Sequence, residues 1–391
     1  MTSFCSYYRD SVCRSCQWIE RSYLAQIAEK EGLIRSRLAF LGDVQLEPPA
    51  LSALTGFRNR AKMTVTGSVT HPVIGLVGES ELDQGRELLE CPVHHPRLNE
   101  LISFLPAWLA RAGVEPYQIR ERTGELKGLI AFHSPRGKSE LEAAEMYLRF
   151  VLRSRACLDR LRKNLPELLA RFPDLKCVSA NLQPIPHAIL EGHEEVYLTE
   201  RRTISHRLGA VVLKLSPQAF VQTNVSVAVA LYQKAAEWIQ ELGPSRFLEL
   251  YCGQGAFSLT AAGSAAKNFK ALGIEINPDA VQSANETASD LGLSQVSFRC
   301  LDATKVGQEL KEFAPELVLV NPPRRGLGEG VELLKSALPE NLLYSSCSLP
   351  SLEADLRALE PFYSLKKVQL FDLFPHTHHF ETLVWLVRRN G

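Results

Sequence analysis

The stretch that most limits what this chain can fold into is Phe247-Leu-Glu-Leu-Tyr-Cys-Gly-Gln-Gly255, a short apolar run entering a Gly-x-Gly turn ahead of a helix-forming segment. Gly253 and Gly255 let the backbone turn tightly and approach a ligand closely. Roughly 20 residues on, a second apolar run, Ala271-Leu-Gly-Ile-Glu275, ends in an acid, where parallel α/β sheets place a carboxylate for two ribose hydroxyls. That spacing fits a nucleoside cofactor, whether NAD or S-adenosylmethionine. The turn lacks the third glycine of the dinucleotide fingerprint and no second phosphate-binding loop is visible. Both points favour S-adenosylmethionine.

More strands of the same sheet follow. Val296-Ser-Phe-Arg-Cys-Leu-Asp302 ends in a carboxylate suited to an adenine amino group, or in an ordinary surface acid. Leu317-Val-Leu-Val-Asn321 runs into Pro322-Pro323-Arg324-Arg325-Gly326, whose prolines lock a loop that holds the Asn321 carboxamide at the ligand end of the sheet. Asn341-Leu-Leu-Tyr-Ser-Ser-Cys347 puts a thiol at the same end; taken alone, a cysteine there reads more readily as a small core residue, and its neighbours in the sheet reverse that. Strands at 367–371 and 382–387 flank Phe374-Pro-His-Thr-His-His-Phe-Glu381, which places Glu381 near a sheet end too. Upstream, Asn224 is a good N-cap for a helix over 225–242, with Gly243 just past its end. The fold class is therefore α/β, with a Rossmann-like sheet over 206–391.

The N-terminal half reads differently. Helical spacing over 22–41 stops at Pro48-Pro49. Helices at 101–112 and 158–172 alternate with strands at 64–67, 129–132, 146–152, 176–181 and 188–191, an α+β pattern with a mostly antiparallel sheet. Arg58, Arg60 and Lys62 alternate along one strand face, which suits RNA phosphates or a solvated surface. The expected division is 1–50, a cysteine-rich segment and helix; 51–205, a central RNA-binding domain; and 206–391. Nine cysteines in a chain that opens without an apolar signal core argue for metal binding and catalysis over disulfides. Cys13-Arg-Ser-Cys16 aims two thiols at one site; Cys5 lies close by and Cys91 precedes Pro92. Four such thiolates suit a [4Fe–4S] cluster or a zinc ion, stapling the N-terminus onto a domain. Formal charge is zero, so nucleic-acid binding would need local patches. No apolar run is long enough to cross a bilayer, and a cytoplasmic, membrane-free protein is expected.

Taken together, Phe220-Val-Gln222-Thr-Asn224, Leu250-Tyr-Cys-Gly-Gln-Gly255, Asn321-Pro-Pro-Arg-Arg-Gly326, Tyr344-Ser-Ser-Cys347 and Phe374-Pro-His-Thr-His-His-Phe-Glu381 resemble the motifs of the RNA uracil-C5 methyltransferases. The set Cys5, Cys13, Cys16 and Cys91 resembles the iron–sulfur branch of that family. Cys13-Arg-Ser-Cys-Gln-Trp-Ile19 and Gly56-Phe-Arg-Asn-Arg-Ala-Lys-Met63 are similar to members acting on 23S ribosomal RNA. The small β-barrel found at the start of other iron–sulfur members has no room before Cys5. RNA contact would fall to the central domain and the sheet end.

The resemblance implies S-adenosylmethionine contacts from Gln222, Tyr251, Glu275 and Asn321, with Asp302 beside them. It also implies a [4Fe–4S] cluster, a 23S ribosomal RNA partner and a monomer. Cys347 would add to C6 of uracil and make C5 nucleophilic, and Glu381 would take the C5 proton after methyl transfer. The thiol should then sit below its ordinary pKa, in the field of Arg324 or Arg325. Phe220 or Phe374 would stack on a flipped base. Other readings are a transfer-RNA uracil methyltransferase and a non-catalytic iron–sulfur protein of ribosome assembly. A cytosine-C5 enzyme would carry cysteine, and an amino-group enzyme an aromatic, where Arg324 stands.

Overall fold

A computed structural model describes the chain except for residues 1–3, 78–83, 136–142, 186–190, 264, 267, 390 and 391. The N-terminal segment forms the helix Tyr23–Leu38, capped by Ser22, and then strand β1, Leu46–Ala50. The Pro48-Pro49 pair does not end structure as its sequence suggests. It lies within β1, at a sheet edge where the missing N–H groups are tolerated, and the register shifts between Glu47 and Ala50.

The central region is a seven-stranded sheet. Its strands are β2 (Arg60–Gly67), β3 (Pro72–Val77), β4 (Gly85–Glu87), β5 (Leu126–Ser134), β6 (Glu145–Leu152), β7 (Leu175–Leu182) and β8 (Glu194–Tyr197). They pair in the order β4-β3-β2-β5-β6-β7-β8. Only β6 and β7 run parallel, joined by the helix Leu158–Arg171, so the expected mostly antiparallel α+β pattern holds. The expected strand at 188–191 lies, apart from Glu191, outside the described residues. Helices Pro96–Ala112 and Leu158–Arg171 cover one face through Leu101, Leu105, Trp108, Leu161 and Leu168.

A hairpin, β9 (Ile204–Leu208) and β10 (Val211–Leu215), spans the expected boundary at 205/206 and packs into the core of the C-terminal region. The C-terminal strands are β11 (Arg246–Leu250), β12 (Lys270–Glu275), β13 (Val296–Cys300), β14 (Leu317–Val320), β15 (Asn341–Ser346), β16 (Tyr363–Phe371) and β17 (Glu381–Arg388). With β1 they make one sheet in the order β1-β16-β17-β15-β14-β11-β12-β13. Strand order reverses between β11 and β14, the switch point where open α/β sheets bind ligands. All strands run parallel except β17, which is antiparallel to both neighbours. The first residue of β17 therefore stands at the same edge as the last residues of β11 to β16.

The N-terminal helix belongs to this sheet's core. Ile27, Ile34 and Leu38 pack with Leu352 and Leu356 of the helix Leu349–Leu359 and with Val368 of β16. Burying three such side chains stabilises the docked helix by at most about 5–9 kcal/mol, enough to hold it against fraying.

Candidate active site

One cavity of about 620 Å³ opens at the carboxyl ends of β11, β12, β14 and β15. Gln222, Tyr251, Glu275, Asp302, Asn321, Cys347 and Glu381, the seven residues singled out above for cofactor and catalysis, all line it. Gly253 and Gly255 both adopt positive φ, 53° and 76°. A Cβ on Gly255 would lie 2.3 Å from the Phe298 ring, whereas one on Gly253 would meet nothing, so the turn packs tightly behind and stays open in front. Tyr251 is also left-handed, at φ 60°, a strained conformation for a residue with a Cβ. The next amide, Cys252 N–H, donates to the Ile274 carbonyl at 3.0 Å and ties the turn to β12.

Glu275 is pinned by main chain. Its Oε2 accepts from Gly253 N–H at 3.0 Å and its Oε1 from Asn277 N–H at 2.9 Å. Each oxygen keeps a second lone pair, which is what a carboxylate needs to accept two vicinal hydroxyls. Asp302 is held by Thr304, whose N–H and Oγ1–H donate at 3.0 and 2.8 Å. Those bonds stabilise its charge and keep its pKa below the usual carboxylate value. The residues present thus fit a nucleoside cofactor.

The opposite wall carries a thiol and a carboxyl. Cys347 follows β15 and Glu381 opens β17; Ser346 pairs with Thr382, so register brings the two together. Ser345 Oγ–H donates to Glu381 Oε1 at 2.6 Å, from a seryl side chain that is fully buried. Glu381 is 1 % exposed, and burial pushes its pKa up to about 7 in spite of the serine bond. The thiol departs from expectation. Burial, reinforced by Glu381, raises the Cys347 pKa above its ordinary value. Arg324 beside it pulls the other way, so of the two arginines considered, Arg324 is the one that favours thiolate. Phe220, 75 % exposed, stands at the rim and Phe374 lines the interior.

Residues not singled out from sequence also line the cavity. Tyr232 faces it from the helix Val225–Leu242, with its ring edge-on to Phe257 at 4.7 Å. His206 faces it from β9, with Nδ1 3.3 Å from Ser134 Oγ and Nε2 buried without a partner. Burial holds His206 neutral, at a pKa of about 3. In sequence, both are lone residues on apolar faces and look like core.

The cysteine set lies elsewhere. Cys5, Cys13, Cys16 and Cys91 line one small cavity with Ile19, Leu88 and Pro92. Burial and repulsion from Cys91, Cys13 and Cys5 push Cys16 up to about 12. Four thiols in an apolar pocket that destabilise one another's charge suit a bound cationic centre, which needs thiolates. Among the described residues, no three His, Cys, Asp or Glu side chains close on a single metal ion. The Arg58, Arg60 and Lys62 row is not an open phosphate strip. Arg58 lies against Cys91 and Cys16 and donates through Nε to the Arg60 carbonyl at 3.0 Å. Lys62 pairs with Glu191 at 2.9 Å.

A doubly flanked sheet with a Gly-x-Gly turn, a pinned carboxylate after the next strand, and a thiol and carboxyl at the same mouth is a methyltransferase fold of the S-adenosylmethionine-dependent class. Residues 192–389 match the family model described as tRNA (Uracil-5-)-methyltransferase, and the chain belongs to that family. It is 40% identical over 386 residues to the 23S rRNA (uracil(747)-C(5))-methyltransferase RlmC of Vibrio cholerae, covering 98% of this chain and 100% of the relative. Identity to the corresponding Actinobacillus succinogenes protein is also 40%, over 98% of this chain and 99% of that one. The fold is similar to the crystal structure of Pyrococcus abyssi tRNA (uracil-54, C5)-methyltransferase in complex with S-adenosyl-L-homocysteine, with a TM-score of 0.77 and 23% identity over 96% of this chain and 86% of that chain. No helix among the described residues is long and apolar enough to cross a membrane.

Proposed function

We propose that this enzyme methylates C5 of a uridine in 23S ribosomal RNA, the position numbered 747 in its relatives' names. The observation that carries the chemistry is the placement of Cys347 and Glu381 in one cavity with Glu275 and the Gly253-x-Gly255 turn. The length and identity of the match to the 23S enzymes carries the substrate.

S-adenosylmethionine, when bound, supplies the methyl group. Gln222, Tyr251, Glu275, Asn321 and Asp302 hold it. Cys347 attacks C6 of uracil as a thiolate, which leaves an enolate whose C5 carbon is nucleophilic. Arg324 opposes the burial that would otherwise keep the thiol protonated. After C5 is methylated, its proton must leave on the opposite face. Glu381, with a pKa of about 7, is matched to accept that proton near neutral pH. Ser345 fixes the orientation of the carboxylate. Loss of the proton expels the Cys347 sulfur and frees the product. A uracil inside a stack cannot reach this cavity, so the base is flipped or lies in a loop.

Two measurements test the reading. RNA carrying 5-fluorouridine has no C5 proton to lose and should trap as a covalent adduct at Cys347; a Cys347→Ala enzyme should neither trap nor methylate. Mass-spectrometric mapping of 5-methyluridine in ribosomal RNA from cells lacking the gene should show one site lost. An unchanged 23S map would refute the substrate assignment.

We infer further that Cys5, Cys13, Cys16 and Cys91 hold a [4Fe–4S] cluster, supported by their convergence on one apolar cavity. Purified protein should contain iron and sulfide near four of each; zinc alone would overturn this assignment.

A further inference from the structure

The loop that delivers Glu381 is held by the N-terminal segment as well as by the sheet. His376, five residues before Glu381, has φ 66°, a left-handed conformation that costs a non-glycine residue energy unless its surroundings impose it. Its surroundings do so through four hydrogen bonds. His376 N–H donates to Gln26 Oε1 at 2.7 Å, and its carbonyl accepts from Trp18 N–H at 2.8 Å. Its Nε2 lies 2.9 Å from the Leu54 carbonyl, which can only accept, so Nε2 carries the proton. Nδ1 is then the acceptor for Gln26 Nε2–H at 3.4 Å. One turn along the helix, Lys30 pairs with Asp372 at 2.6 Å, both side chains fully buried, and reaches the Phe374 carbonyl at 3.3 Å. Gln17 bonds His378 at 2.9 Å. Two residues of the helix, Gln26 and Lys30, and two of the turn after Cys16, Gln17 and Trp18, therefore grip the segment between the end of β16 and the start of β17. That segment also carries Phe374 into the cavity.

We propose that Gln26, with Lys30 beside it, is a positioning residue for proton abstraction: through His376 and Asp372 it holds the 372–380 loop so that the Glu381 carboxylate meets the C5 proton. The N-terminal segment is thereby part of the reaction's geometry as well as of the fold. This role rests on the thiol–carboxylate reading above, and its signature is a defect confined to one step. Attack by Cys347 and methyl transfer do not need Glu381; loss of the C5 proton does.

The experiment uses full-length enzyme bearing Gln26→Ala and RNA containing either 5-fluorouridine or uridine deuterated at C5. Adduct formation with the fluorinated RNA counts correctly folded, methyl-transferring enzyme. Gln26→Ala should trap as much RNA as wild type and keep KM within about twofold. Its kcat should fall by about ten- to a hundredfold, the scale of a misplacement near 1 Å. The deuterium isotope effect on kcat should rise above the wild-type value because proton loss becomes slower than every other step. His376→Gly retains both backbone bonds without the left-handed penalty. It should keep the trapping level with a smaller loss of kcat. Wild-type enzyme that traps beside a Gln26→Ala enzyme with unchanged kcat and isotope effect would overturn the positioning role alone. So would a fall in kcat matched by an equal fall in trapping. Wild-type enzyme that never traps would overturn the underlying reading and this one together.

Discussion

Ser345→Ala should move the acid limb of the pH–rate profile upward by about one unit. The serine hydroxyl donates to Glu381 Oε1 at 2.6 Å in a fully buried setting, and this bond opposes the burial that raises the carboxyl to about 7. A hydrogen bond to a charged acceptor contributes about 1.5–3 kcal/mol, and each pH unit corresponds to about 1.4 kcal/mol, which gives about one to two units. The protonated carboxyl also bonds Ser345, so only part of that energy distinguishes the two forms and the lower end applies. At pH 7 the ionised fraction of Glu381 should drop from about half to about one-tenth, a roughly fivefold loss of turnover. The assay is steady-state turnover, read as release of free methylated RNA between pH 5.5 and 9, with adduct formation on 5-fluorouridine RNA in parallel. Turnover should recover at alkaline pH, while adduct formation at pH 7 should not fall, because a more protonated Glu381 repels the Cys347 thiolate less. A midpoint that stays within about 0.3 unit of wild type would refute the assignment of the acid limb to Glu381.

Other outcomes follow from the same electrostatics. Arg324→Met removes the side chain that stabilises the Cys347 thiolate, so the pH midpoint for adduct formation should rise and its rate at pH 7 should fall, with Lys restoring part of it. Glu249 is buried beneath the site and bonded by Ser258, with its pKa raised to about 8. Together with Glu381 it should make folding stability fall as pH climbs from about 4.5 to 8, because the folded state keeps protons that the unfolded chain has released; Glu249→Gln should flatten that slope in urea titrations. Lys30→Met strands Asp372, whose Oδ2 already lacks a partner, and should cost about 3–5 kcal/mol in urea unfolding, most of it recovered by Lys30→Met with Asp372→Leu.

Much of this molecule was legible in local sequence. The strand, Gly-x-Gly turn and acid at Glu275 depend on contacts within one βαβ unit, and hydrophobic runs with glycines at required turns are local signals. The N-cap Asn224 and the left-handed Gly243 are likewise written in neighbouring residues. The antiparallel direction of β17 is not. It depends on the last strand inserting between β15 and β16, and it brings Glu381 to Cys347. The raised pKa of the thiol is not legible there either, because burial is a sum over distant elements and no spacing rule reports it. β1 shows the same limit: Pro48-Pro49 signals a break until an edge strand offers a place where two missing N–H groups cost little.

The sequence alone determined the residue types the chemistry needs and the turns that hold them, because backbone conformation and side-chain reactivity are short-range properties. Tertiary structure alone decided their protonation and mutual distance. It also decided that Gln26 and Lys30, about 350 residues away in the chain, hold the loop that ends at Glu381. Desolvation and strand pairing act across space, and neither leaves a mark at a fixed separation along the chain.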